Sequence, residues 1–563
     1  MSATPSGASP EPHAESVVVG RVVDVHARRI YPGRVRIGGG KISAIEPLPG
    51  DGAEGAAGPF LLPGFIDAHV HVESSMLVPT EFARAAVVHG AVATVSDPHE
   101  IGNVLGVAGV EYMLANAAQS PLKFYFGAPS CVPATTFETA GATISVAEVE
   151  RLLDDPRIRY LSEMMNVPGV LGGDPDCLAK IRAAQARGKP VDGHAPGLRG
   201  EQARRYVAAG MSTDHECFTK EEALDKIAAG CKISIREGSA ARNFDALYTL
   251  IGEHPRMTML CSDDKHPDEL ETGHINLLVR RAVERGIDLF DVLQAACVNP
   301  VEHYGLTVGL LRPGDPADLI EVDSLATFNV LRTWIDGRVV AQGGAATWPR
   351  VEPAVVNHFA GAHVQAGELA VRCRPGEKLQ VIEALEGQLI TRRLPMAPKE
   401  VDGLAVSDPA RDLLKIVVVN RYAKADAAVA FIKNFGLQTG AMASSVAHDS
   451  HTVIAVGATD DDLAAAVNAV MDARGGLAAV CRARGEQLLL PLPVAGLMAT
   501  GSCAEVARAY QQLDAAVKSW GSPLRAPYMT LSFMALLVIP ELKLSDLGLF
   551  DGGAFQLTPL LAP

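Results

Sequence analysis

A chain of 563 residues is too long to enclose one hydrophobic core and implies two to four domains. With 48% hydrophobic and 20% charged residues it has the makeup of a globular protein with large buried cores, and a net charge of -15 leaves no basic field for a phosphate backbone. Nucleic acid is excluded as the expected partner, and small molecules take its place. The nine cysteines are scattered, odd in number and without a C-x-x-C pair, so neither a disulfide framework nor a thiolate zinc site is indicated and a reducing cytoplasm is the expected compartment.

Residues 1–15, MSATPSGASPEPHAE, lack the basic start and apolar core of a signal peptide and read as a disordered tail; no apolar run reaches membrane-spanning length. From residue 16 short β-rich runs broken by Gly and Pro predict a small antiparallel sheet over 16–60, which cannot close a core alone. Similar runs recur over 309–350. The two pieces are expected to pair as one small β-sandwich, with the intervening 61–308 inserted between them.

Within 61–308 strand-like and helix-like segments alternate about eight times, with strands expected at 61–69, 91–97, 122–130, 158–165, 190–194, 211–215, 231–237 and 257–263. That count fits an α/β fold of (β/α)8, TIM-barrel type, whose chemistry sits at the C-terminal ends of the strands. An open doubly wound sheet is the alternative, but the Gly-rich phosphate loop that often accompanies it is missing.

The strand ends carry the chemical signal. His69 and His71, at i and i+2 beyond an apolar run, share a face in extended chain and can bind one metal ion together. Strand two ends in Asp97-Pro98-His99-Glu100, strand four carries Glu163, strand five ends in His194, strand six in His215 and strand eight in Asp263, followed by Asp264. A random scatter of sixteen histidines would rarely put four at strand ends. Four imidazoles and two carboxylates exceed what one tetrahedral zinc requires, so either two ions lie close together or some of these groups move protons. The pairing expected is His69, His71 and Asp263 on one ion, His194 and His215 on the other, and Glu163 on both, because both its oxygens can ligate.

The stretches PGFIDAHVHVESSM, SDPHEIGNV, SEMMNVPGV, DGHAPGL, IREGSAARN and CSDDKHPDE resemble the amidohydrolase superfamily and, within it, the adenine deaminases. Amidohydrolases commonly bridge two metals with a modified Lys at the end of strand four; here that place holds Glu163, which is the adenine deaminase arrangement. The resemblance continues through VVVNRY, NFGLQTGAMASSVAHDSH and LPVAGLMAT, nearly to the end of the chain. It implies hydrolytic deamination of adenine to hypoxanthine and ammonia in purine salvage, by a hydroxide held between two divalent ions (manganese first; iron or zinc as alternatives), in a homo-oligomer of two or more chains. Asp263 is then expected to pass a proton from the water to the departing amine, and Glu100 to supply or hold the ring-nitrogen proton. Glu237, Ser239, Arg242 and Asn243 are candidates to bind the purine edge, and His99 to orient Glu100. No aromatic residue at the strand ends stands out as a stacking platform.

Residues 351–563 are expected to form a further α/β layered domain, with strands in KIVVVNRY, HTVIAVGA and LAAVCRARGEQLLLPL and a helix in DDLAAAVNAVMDARGG closed by Gly. Its cluster His448, Asp449, Ser450, His451 could reach a metal or the active site, but two histidines three apart in a loop read more simply as a hydrogen-bonded turn. Two other functions remain open at this level: another amidohydrolase acting on a different heterocycle or a cyclic amide, and a catalytically silent scaffold that keeps a metal for folding.

Overall fold

The computed structural model describes residues 15–49 and 57–562; the tail expected over 1–15 lies, apart from Glu15, outside them. The first sheet has eight strands in the order β16-β15-β14-β13-β4-β1-β2-β3. Its members β1 (Ser16–Asp24), β2 (Arg29–Gly38), β3 (Lys41–Pro47) and β4 (Phe60–Pro63) precede the central domain, and β13 (Leu319–Val322), β14 (Val330–Ile335), β15 (Arg338–Gln342) and β16 (Ala345–Ala346) follow it. The join is the antiparallel pairing of β13 with β4, in which Ile320 lies opposite Leu62.

Between these halves β5 (Phe65–Val70), β6 (Ala91–Ser96), β7 (Lys123–Ala128), β8 (Ile158–Met164), β9 (Val191–Gly193), β10 (Thr213–Asp214), β11 (Lys232–Arg236) and β12 (Thr258–Cys261) pair in sequence order, every pair parallel. The amide of Asp263 donates to the carbonyl of His69 over 2.9 Å, so the first and last strands meet and the sheet closes to a barrel. Both β5 and β6 are buried at every residue, as parallel strands covered on two faces must be.

The run expected as one strand over 61–69 is divided at Gly64. Residues Phe60–Pro63 serve the first sheet, and Phe65–Val70 opens the barrel. A side chain at Gly64 would bring its Cβ to 2.2 Å from Val92 Cγ1, so only glycine lets the chain pass this close to β6 while changing sheets.

The last domain is built on a nine-stranded sheet, mostly antiparallel, that includes Lys378–Ala384, Leu414–Val419, Val453–Gly457 and Gly476–Cys481. The helix Asp460–Asp472, capped by the Thr459 hydroxyl on the Asp462 amide, lies against it. One continuous apolar core joins barrel residues such as Val70 and Met165 to Leu389, Phe533 and Leu536 of this domain. The barrel mouth is therefore covered by the C-terminal domain rather than open to water. Among the described residues no helix is long and apolar enough to cross a membrane.

Candidate metal centre

Each barrel strand ends where its backbone pairing stops, and that is where the polar side chains converge. His69 lies in β5 and His71 one residue beyond it, while Glu163 lies in β8 and His194, His215 and Asp263 follow β9, β10 and β12. All six are buried, with no residue more than 5% exposed. His69 Nε2 faces His71 Nε2 at 3.2 Å, and Asp263 Oδ1 lies 3.6 and 3.4 Å from those same two atoms.

Glu163 turns its two oxygens to different sets of imidazoles. Its Oε1 is 3.3 Å from His71 Nε2 and 3.5 Å from His99 Nδ1, whereas Oε2 is 2.7 Å from His194 Nδ1 and 3.2 Å from His215 Nε2. Burial alone would raise the carboxyl's pKa, but the charge of His194 and the hydrogen bonds from His194, His215 and His71 hold it well below the usual range. His194 is lifted to about 9 against the opposing effect of burial, by Glu216 and Glu163.

These residues fit a divalent cation. His69 Nε2 and His71 Nε2 converge at 3.2 Å with Asp263 Oδ1 beside both, and the buried His69 Nδ1 and His194 Nε2 have no hydrogen-bond partner among the described residues. The sets His69, His71, Asp263 and His69, Glu163, His215 each gather ligand atoms within 4.8 Å of one another, and the donors are the imidazole and carboxylate groups such ions take.

Asp263 is not free on its outer side. Its Oδ2 accepts from Arg236 Nη1 at 2.5 Å, and Arg236, 1% exposed, also grips both oxygens of Glu216. Glu216 in turn lies 3.5 Å from His215 Nε2 and 3.7 Å from His194 Nδ1. Neither Glu216 nor Arg236 figures in the expectations from sequence, although Glu216 directly follows a strand-end histidine.

Four of the expected substrate residues are placed elsewhere, and this corrects the reading of the REGSAARN stretch. Successive strand residues point to opposite faces, so Arg236 at the end of β11 enters the barrel and Glu237 leaves it. Glu237 pairs with Arg281 at 2.8 Å and with Arg242 at 3.3 Å, and Arg242 and Ser239 bond Glu269, none of which lines the metal cavity. Asn243 is structural: its Nδ2 donates to the carbonyls of His215 and Cys217 and its Oδ1 accepts from the Arg236 amide.

The opposite correction applies to His448–His451, expected as a plain turn. The turn is real, with the His451 amide on the Ala447 carbonyl at 2.7 Å, yet both rings reach the barrel. His448 Nδ1 lies 2.5 Å from Glu100 Oε1, and His451 Nε2 contacts Glu100 Oε2. Burial opposes charge on His448, but Glu100, Asp264 and Asp449 raise it to about 9. His99 stays at the site, 3.0 Å from Asp97 Oδ2 through Nδ1 and 3.5 Å from Glu100 Oε1 through Nε2. The apolar wall also comes from the C-terminal domain, as Leu389, Phe533 and Leu536, facing Met165 of the barrel. The Phe533 ring stacks on His448 with centroids 4.6 Å apart, and so provides the aromatic surface that the strand ends lack.

Two family profiles match the chain: the amidohydrolase family over residues 60–340 and the adenine deaminase C-terminal domain over residues 388–556. Among curated relatives, the adenine deaminase of Salinibacter ruber is 58% identical over 541 residues, covering 96% of this chain and 98% of its own. That of a Sulfurovum species is 55% identical over 95% of this chain and 97% of its own, and that of Methanosarcina acetivorans 50% identical over 97% and 99%.

Proposed function

This chain belongs to the adenine deaminase family, and from that premise we propose how its buried cluster performs the reaction. The activity is hydrolysis of a C–N bond, adenine to hypoxanthine and ammonia, in purine salvage. A divalent metal is held in the cluster; the proposal is two ions, manganese first and iron or zinc as alternatives, with His69, His71 and Asp263 at one, His194 and His215 at the other and Glu163 shared. The observation that carries this is the division of Glu163, one oxygen toward His71 and the other toward His194 and His215. When bound, such ions supply Lewis acidity and bring the pKa of a water toward about 7.

The chain's own groups do the rest. Asp263 takes a proton from the attacking water and delivers it to the departing amine. Arg236 donates to Asp263 Oδ2 at 2.5 Å and keeps the carboxylate ionised, ready to accept. Glu100, kept ionised by His448, His451 and His99, relays to the purine ring nitrogen a proton held on His448 Nδ1. Phe533, Leu389, Leu536 and Met165 cover the faces of the flat base and exclude water.

None of the fifteen residues lining this cavity exposes more than 6% of its surface, which favours a free base over a nucleoside. The test is ammonia release from adenine, adenosine, guanine and cytosine on protein reconstituted with manganese, iron or zinc in turn. Adenine is expected to turn over and adenosine to be poor. Adenine inert under all three metals while another base reacts would overturn the reading.

A further inference from the structure

The loop that sequence reasoning assigned to the substrate forms part of a different cavity, of about 470 Å³, on the outer side of β11 and β12. Six cationic side chains line it: Arg242, Lys265, Arg280, Arg281, Arg285 and Arg525. They come from four segments. Arg242 follows β11, Lys265 follows β12, Arg280 and Arg281 lie in the helix Ile275–Glu284 with Arg285 just past it, and Arg525 belongs to the C-terminal domain. Three carboxylates, Glu237, Glu269 and Glu284, share the lining and offset half of this charge. In a chain of net charge -15 a cavity with twice as many cations as anions runs against the general balance.

Each arginine of the lining has a carboxylate partner, and among the described residues Lys265 alone has none in direct contact. Arg242 bonds Glu269 at 2.7 Å, Arg281 bonds Glu237 at 2.8 Å and Arg525 bonds Glu269 at 2.8 Å. Arg280 pairs with Glu284 at 3.4 Å, and Asp245, outside the lining, holds Arg281 at 2.5 Å and Arg285 at 3.0 Å, while Arg242 Nε and Glu237 Oε2 are buried without a hydrogen-bond partner among the described residues. Lys265 is only 5% exposed, and among the described residues no oxygen accepts from its ammonium within hydrogen-bond or ion-pair distance. Glu269 and Glu237 offset its charge from a distance without bonding it, and an anion oxygen in the cavity would supply the acceptor the ammonium lacks. The metal cavity shares no lining residue with this one.

We infer that this cavity is a second binding site, for a phosphate group carried on a small organic molecule. Guanidinium forks converging from separate segments, with an ammonium as point charge, match the several oxygens of a phosphomonoester, and the cavity exceeds what bare phosphate fills. The site is tested by calorimetric titration of the metal-loaded protein with ribose 5-phosphate and with inorganic phosphate, and Arg280→Glu, which touches no residue of the metal cavity, separates this site from phosphate oxygens bound at the metals. One saturable, salt-sensitive site per chain for ribose 5-phosphate is expected, displaced by inorganic phosphate. Lys265→Met and Arg280→Glu should each weaken it by about tenfold or more. The Arg280 side chain is 42% exposed, so that variant folds even if the buried one does not. Saturable binding of inorganic phosphate alone would retain the site and reassign its source to the free ion. No saturable binding of either probe, or binding unchanged in Arg280→Glu, would overturn the inference.

Discussion

His448 Nδ1 and Glu100 Oε1 lie 2.5 Å apart although 348 residues separate them in the chain. A barrel carboxylate at the catalytic mouth is thus set by a side chain of the C-terminal domain, and that domain is part of the site.

His448→Ala should therefore lower kcat by about two orders of magnitude while metal content stays at the wild-type level, since a proton-transfer partner is lost and no metal ligand is touched. Steady-state kinetics with elemental analysis checks it; a loss of metal in step with activity would make His448 a ligand instead.

Glu163→Gln should reduce bound metal to one ion or none per chain with the barrel still folded. One amide oxygen cannot replace a carboxylate whose oxygens face His71 on one side and His194 with His215 on the other. Elemental analysis and far-UV circular dichroism decide it; two ions retained at full activity would end the bridging assignment.

Asp263→Asn should cost several orders of magnitude in turnover, because an amide cannot accept the proton. Arg236→Met should act differently, on stability. It leaves Glu216 and Asp263 buried without their shared cation, a change worth about 3–5 kcal/mol, visible as a lower melting temperature even in metal-loaded protein.

Lys543 is fully buried, donates to the carbonyls of Leu389 and Phe533 at 2.6 and 2.9 Å, and is lowered by burial to about 7 from 10.5. Between about pH 7 and 10.5 the unfolded chain holds a proton that the folded chain has released, so this group adds stability as pH rises through that window, and below pH 7 its full cost is present. Lys543→Met should therefore gain on the wild type at pH 7 and lose that relative gain toward pH 10, read as melting temperature against pH. Parallel curves for the two proteins would contradict it.

Phe533→Ala should raise KM for adenine by about tenfold or more and change kcat less, as the ring covers the base rather than meeting the reacting atoms. An unchanged KM would remove Phe533 from the substrate wall.

The barrel and the gathering of imidazoles and carboxylates at its mouth were legible from sequence because both rest on local periodicity. A buried parallel strand is an apolar run, its C-terminal end is the first place a polar residue is tolerated, and the eight runs put His69, His71, Glu163, His194, His215 and Asp263 at such ends. Side-chain direction at the last strand residue was not legible. The choice between Arg236 and Glu237 turns on where β11 stops, a matter of one residue, and the wrong choice sends the whole loop to the opposite face.

Tertiary packing alone decided the other half of the site. Nothing local to Leu389 or Phe533 marks them, and the pair His448 and His451, visible as a cluster, cannot be told locally from a plain turn, since their role depends on a domain closing over the mouth of a barrel hundreds of residues earlier. Sequence alone determined which groups could ligate a metal. Which groups close the cavity over the barrel mouth, and that Arg236 meets Asp263, followed only from long-range contact, because burial beside a distant segment leaves no periodic trace in either segment.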